Sequence, residues 1–301
     1  MISVAQVTKR FGSVVALDGV SLSIVAGEQV AFVGANGSGK TTLLRALLGL
    51  VKVEGAVTIG GVDVAREPAV ALRSVAYIPQ IAPPIDAPVR EVVRAHSAIR
   101  GKDEEQTWSR ARRLGLDPDA ARGKRWSGLS GGMKQKLLAA MALATEAPVL
   151  VCDEPTANLD AEARASFFEQ LAERPKNGVV VLCSHRIEEV RQLVRRVVEL
   201  ADGRVVRDAS LEELLRHLRA FRVEVTLRGG ADAAEELLRA RGFERCGQGR
   251  FVARLAQAEK VQLVTRILGD LGEQIADLSV TPVDDLYVAA RAGAPHLKVV
   301  A

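Results

Sequence analysis

Three short clusters in this chain carry groups able to act on a phosphate. Gly34-Ala35-Asn36-Gly37-Ser38-Gly39-Lys40-Thr41 follows the pattern Gly-x-x-x-x-Gly-Lys-Thr, with Thr42 continuing it. Glycines let the backbone wrap close to a phosphate chain, and the N–H groups of the loop and of the helix start after it face negative charge. Lys40 would reach the β- and γ-phosphates, and the Thr41 hydroxyl would bind Mg²⁺. The second cluster is Val149-Leu150-Val151-Cys152-Asp153-Glu154, an apolar run ending in two carboxylates. Asp153 suits a Mg²⁺ ligand at a strand end, and Glu154 suits a group that orients and polarises an attacking water. The third is Leu129-Ser130-Gly131-Gly132-Met133, a small, polar, flexible stretch ahead of a helical pattern.

The surrounding sequence predicts elements able to position these groups. Ser3–Val7 and Gln29–Val33 read as strands, and the second leads directly into the glycine loop. Leu43, Leu44, Leu47 and Leu48 recur at helical spacing after Lys40, with Gly49 as a stop. Ala56–Ile59 reads as a further strand. Prolines at 79, 83, 84 and 88 then break the chain, and helical stretches follow around Val89–Ile99 and Glu104–Leu114. With the helix from Met133 to about Thr145, they make an inserted helical subdomain over about residues 81–147. Val149–Cys152 and Val179–Cys183 read as buried strands with a helix near Ala161–Glu173 between them, an alternation that argues for a mostly parallel sheet.

Residues 1–208 are expected to form this α/β unit. Residues 209–220 are expected to form a linker helix, opened by the capping box Ser210-Leu211-Glu212-Glu213. Residues 221–301 read βαββαβ, a small ferredoxin-like α+β domain. A last helix is expected over Asp284–Ala292.

Composition narrows the field without deciding it. The 301 residues are 48% hydrophobic and 26% charged, enough for two packed domains. No apolar run reaches the length of a membrane span, and the start has no signal-peptide pattern, so a cytoplasmic protein is expected. Three cysteines without metal-ligand spacing fit a reducing compartment. The net charge of +4 lies in the first 220 residues, since residues 221–301 hold 11 basic and 11 acidic side chains. No block of like charge marks a nucleic-acid arm, and no nucleic-acid partner is expected.

Taken in order, Gly34–Thr41, Gln80, Leu129–Gly132, Asp153-Glu154, Asp160 and His185 resemble the motif set of the ATP-binding cassette (ABC) ATPases over roughly residues 1–208. That resemblance implies a P-loop NTPase cassette: a mostly parallel sheet, an antiparallel β subdomain and the inserted helical subdomain. ATP and Mg²⁺ would be its cofactors. It further implies that Phe11 stacks on adenine, where tyrosine is usual, and that Gln80 senses Mg²⁺ and water. Ser130, Gly131 and Gly132 would bind the γ-phosphate of a nucleotide held by a second copy. Asp160 would cross the dimer interface, and His185 would contact the γ-phosphate beside Glu154. Met133 departs from the glutamine usual at the end of the signature.

The family resemblance implies a homodimer closing on two ATP molecules and a separate membrane permease, which would hold the chain on the inner face of the cell membrane. Met133 and the tail Ser279–Tyr287 resemble cassettes of ABC-2-type multidrug or copper exporters, with Asp284 and Tyr287 as substitutions in the tail. Two alternatives stand beside export: an importer ATPase with a small-molecule-sensing βαββαβ domain, and a soluble ABC factor.

Overall fold

The structure is a computed structural model that describes residues 1–184, 187–213, 220–229 and 232–282. His185, most of the expected linker helix, and the tail beyond Pro282 with Asp284 and Tyr287 lie outside the described residues. The chain divides into two compact units, Met1–Ala209 and Ser210–Ala301.

The first unit opens with strands β1 (Ile2–Phe11), β2 (Val14–Ile24) and β3 (Gln29–Val33), then helix α1 (Lys40–Leu47). β4 (Glu54–Ile59), β5 (Val62–Asp63), α2 (Pro68–Ala71) and β6 (Val75–Ile78) follow. Four helices come next: α3 (Val89–Arg100), α4 (Glu104–Arg113), α5 (Pro118–Arg122) and α6 (Gly131–Ala144). β7 (Val149–Asp153), α7 (Ala161–Ala172), β8 (Val179–Cys183), α8 (Ile187–Leu193), β9 (Arg196–Ala201) and β10 (Arg204–Ser210) complete it. Two sheets result. One runs β2-β1-β4-β5 with antiparallel pairing. The other runs β10-β9-β3-β8-β7-β6, with parallel pairs from β9 through to β6.

The central strands are apolar because both faces are covered. Every residue of β7 and of β8 is buried, the pattern expected of inner strands in a parallel sheet. α1 turns Leu43, Leu44, Ala46 and Leu47 inward, and they join Val30, Phe32, Val151 and Val181 in one core. β1 runs four residues beyond the expected Val7. Its register shifts after Val4 and again after Val7, and Gln6 takes a φ of +49°. Such bulges break the period-two pattern by which a strand is read. α6 begins two residues earlier than expected because Ser130 caps it: its Oγ accepts the Met133 N–H at 3.2 Å. Gly131 and Gly132 are therefore the helix's first turn.

In the second unit, Ser210 and Glu213 close the capping box reciprocally. The Ser210 N–H donates to Glu213 Oε2 at 3.0 Å, and the Glu213 N–H donates to Ser210 Oγ at 3.2 Å. The sequence continues as β11 (Ala220–Leu227), α9 (Asp232–Ala240), β12 (Glu244–Gly247), β13 (Arg250–Ala256), α10 (Gln257–Leu271) and β14 (Ile275–Pro282). The sheet order β12-β13-β11-β14, antiparallel throughout, is the ferredoxin-like arrangement. Val223, Val225, Phe251, Leu238 and Ile267 form a core of its own.

Candidate functional site

Four adjacent strands of the larger sheet end at one edge, and the segments after them carry candidate site residues. The glycine loop leaves β3, Gln80 lies two residues after β6, Glu154 follows β7 and Ser184 follows β8. Ligands bind beyond the carboxyl ends of strands in open α/β sheets for this reason.

A cavity of about 350 Å³ lies at that edge. Asn36, Gly37, Gly39, Lys40, Thr41 and Thr42 line it from the glycine loop and α1. Phe11 closes one side with Val14 and Ala16, two residues that no sequence motif marks. Gln80, Asp153 and Glu154 complete the lining. Phe11 keeps an exposed ring, held at a tight turn by its pairing with Val14, and the Lys9 ammonium sits 4.9 Å from the ring centroid.

The loop's shape depends on glycine at its end. Gly39 has φ +105°, and a methyl there would lie 2.5 Å from the Ala16 carbonyl oxygen. Any side chain would push the loop off β2. Gly34 and Ser38 do not line the cavity. Gly34 acts through its carbonyl: Lys40 Nζ donates to Gly34 O at 2.7 Å and to Ala35 O at 2.8 Å. The ammonium is thereby fixed inside the curve of the loop. Ser38 is buried, and its Oγ has no hydrogen-bond partner among the described residues.

The acidic pair is divided by environment. Asp153 ends β7 and is buried, and the Thr41 hydroxyl donates to its carboxylate. Burial raises its pKa, Glu154 raises it further, and Arg45 and Lys40 pull it back. Tyr77 feels the same charge: burial first, then Asp153, push its hydroxyl up to about 12. Glu154 sits at φ +49°, a left-handed conformation uncommon for a residue with a side chain. Its N–H donates to Cys183 O at 2.9 Å, so the turn after β7 is pinned to β8. Cys152 and Cys183 are buried, and burial raises both thiols, consistent with packing rather than reactivity.

Ser130, Gly131, Gly132 and Asp160 are not among the residues lining this cavity. Ser130 caps α6, as described. Asp160 caps α7, accepting the Ala163 N–H at 2.8 Å, and pairs with Lys136 Nζ at 2.8 Å. Sequence reasoning also missed a buried cluster behind the site. Glu189 is 1% exposed and accepts from the hydroxyl of Thr156, and from Ser184 Oγ at 2.8 Å. No sequence pattern marks it, because its partners lie 33 and 5 residues away.

The profile of the ABC transporter family matches residues 17–157. The methionine import ATP-binding protein MetN of Caulobacter vibrioides is 35% identical over 72% of this chain and 69% of its own length. The chain belongs to the ABC transporter ATP-binding proteins. It is 33% identical to the Nod factor export ATP-binding protein I of Paraburkholderia xenovorans, over 70% of this chain and 71% of that protein. It is also 38% identical to the mycobactin import ATP-binding/permease protein IrtB of Mycobacterium tuberculosis, spanning 37% of that longer protein. The dimeric post-hydrolysis structure of the ATP-binding cassette MJ0796 bound to ADP and Pi superposes with a TM-score of 0.62. It covers 70% of this chain and 99% of that one, at 26% identity. This ABC chain is thus an ATP-binding ATPase cassette. None of its described helices is long and apolar enough to cross a membrane.

Proposed function

We propose that this ABC cassette hydrolyses ATP in the cavity between Phe11, the glycine loop and the acidic pair, pairs with a second copy, and drives a separate membrane permease. The observation that carries this reading is the convergence of Phe11, Lys40, Thr41, Gln80, Asp153 and Glu154 on one cavity from four separate stretches of chain. Phe11 offers an exposed face for the adenine. The loop and Lys40 hold the phosphates. Thr41, Asp153 and Gln80 offer the oxygen ligands Mg²⁺ requires, and the buried Asp153 charge lacks a fixed cation at bonding distance among the described residues. Among those residues no group of three or more His, Cys, Asp or Glu can hold a metal ion by itself, so nucleotide oxygens and water would complete the shell. Bound there, Mg²⁺ would neutralise phosphate charge. Glu154 orients the attacking water, and the family resemblance assigns His185 the γ-phosphate contact.

Ser130, Gly131 and Gly132 stand off their own cavity at a helix start, where N–H groups favour an anion. Their nucleotide is then the one held by the second copy, and Asp160 faces the same interface. Removing the γ-phosphate releases the two halves.

Met133 and the tail from Ser279 favour export as the direction. The importer alternative draws on the ferredoxin-like unit and on the likeness to a methionine import protein. Vesicle transport with the copurifying permease decides between them, since export requires ATP hydrolysis on the side opposite substrate accumulation. For the site itself, Glu154→Gln is expected to keep ATP affinity, lose at least about a hundredfold in turnover and accumulate as a dimer. Lys40→Ala is expected to lose ATP affinity. Normal turnover in the first variant, or normal affinity in the second, removes that residue from its role.

A further inference from the structure

Gly132, Gln135 and Lys136 stand at i, i+3 and i+4 on α6 and so share one face of the helix. All three meet the loop between Glu154 and α7. Gln135 is 1% exposed, and its Nε2 donates to Pro155 O at 2.9 Å, one residue past Glu154. The same nitrogen lies 3.4 Å from Pro79 O, one residue before Gln80. Lys136 Nζ pairs with Asp160 at the loop's other end. That bond is the main cause holding the Asp160 carboxyl below its usual range. Between these two points, Gly132 comes so close that a methyl on it would lie 3.0 Å from Asn158 O.

The loop is therefore fastened to the signature helix at its start, near its middle and at its end. A buried amide whose partner is a backbone carbonyl is costly to pull away, because both groups would lose a bond without gaining water. The Lys136 side chain is 14% exposed and that of Asp160 60% exposed, so the pair is open to solvent on its acidic side and the buried Gln135 bond is the stronger fastening. Displacing one of the two elements while the other stays requires breaking this set together.

We propose that Gln135 and Lys136 are positioning residues that latch the signature turn to the loop following Glu154, so that whatever shifts that loop shifts Ser130 with it. The inference rests on the proposed roles of Glu154 and Ser130. Through the latch, the γ-phosphate state at one nucleotide sets the placement of the signature that serves the other. A contact of purely architectural value would lower stability and leave the catalytic parameters of the folded enzyme alone.

The test uses the full chain carrying Gln135→Leu, Lys136→Met or Lys136→Arg. For the first two, kcat is expected to fall about tenfold or more while ATP affinity stays within about twofold, since the cavity lining is untouched. Lys136→Arg, which keeps the ion pair, is expected to retain wild-type kcat. Added to Glu154→Gln, Lys136→Met is expected to weaken the ATP-trapped dimer. Should Gln135→Leu fail to fold, the partly exposed Lys136 still decides. Wild-type kcat in Lys136→Met, with dimer trapping undiminished, overturns the latch. If Glu154→Gln by itself keeps turning over, the reading of the site fails instead, and the two failures are distinct.

Discussion

Asp153 is the residue at which the site's electrostatics are most exposed to experiment. Its carboxyl is raised by burial and by the neighbouring Glu154 charge. A carboxyl whose folded pKa lies above its unfolded one binds its proton more tightly when folded, so stability falls as pH rises through that window. The penalty is absent below the ordinary carboxylate range and grows as the pH rises above it. Nucleotide-free Asp153→Asn is therefore expected to melt higher than the wild type near neutral pH, with the gap closing as the solution is acidified. Thermal melts across that pH range check this. With ATP and Mg²⁺ added, the order reverses, because only the wild type gains the full stabilisation of ligand binding. The residue types were legible from sequence because spacing alone places a loop, a lysine and a strand-end acid together. The left-handed Glu154 was not, since nothing in its neighbours demands a positive φ; pinning of its N–H by β8 does.

At the scale of elements, the strands β3 and β8 have the limits their residues predict, because covered apolar runs leave few alternatives. The strand β1 was only half legible, since its bulges break alternation. The start of α6 was hidden by the glycines of its first turn, which read as loop until the Ser130 cap is seen. That cap gives Ser130 a structural duty separable from the one proposed for it at the nucleotide. Ser130→Ala is expected to cost about 1 kcal/mol of stability, the usual value of a side-chain cap, and to lose turnover as well. Ser130→Asn restores a capping oxygen and so is expected to regain the stability without the turnover. Denaturant midpoints and steady-state rates on the same two proteins separate the effects.

For the molecule as a whole, the two compact units carry different burdens. Every residue lining the cavity proposed for the nucleotide belongs to Met1–Ala209, while the second unit holds a core of its own. A chain ending at Ala209 is expected to bind ATP with unchanged affinity, measured by nucleotide titration. A change beyond about threefold would give the second unit a part in the site. The four neighbouring strands that end at the cavity bear on how the length of this chain can vary. Adding one residue inside β3, β6, β7 or β8 would carry a reacting group about 3.3 Å along its strand and turn alternate side chains to the other face. That displacement exceeds the tolerance of any hydrogen bond in the site. A residue added between Arg174 and Gly178, a connection at the opposite edge of the sheet, leaves those groups in place. An insertion scan scored by ATP turnover should therefore draw a sharp line across the sheet, with the ends of the strands acting as a fixed gauge for the chemistry and their beginnings free to drift.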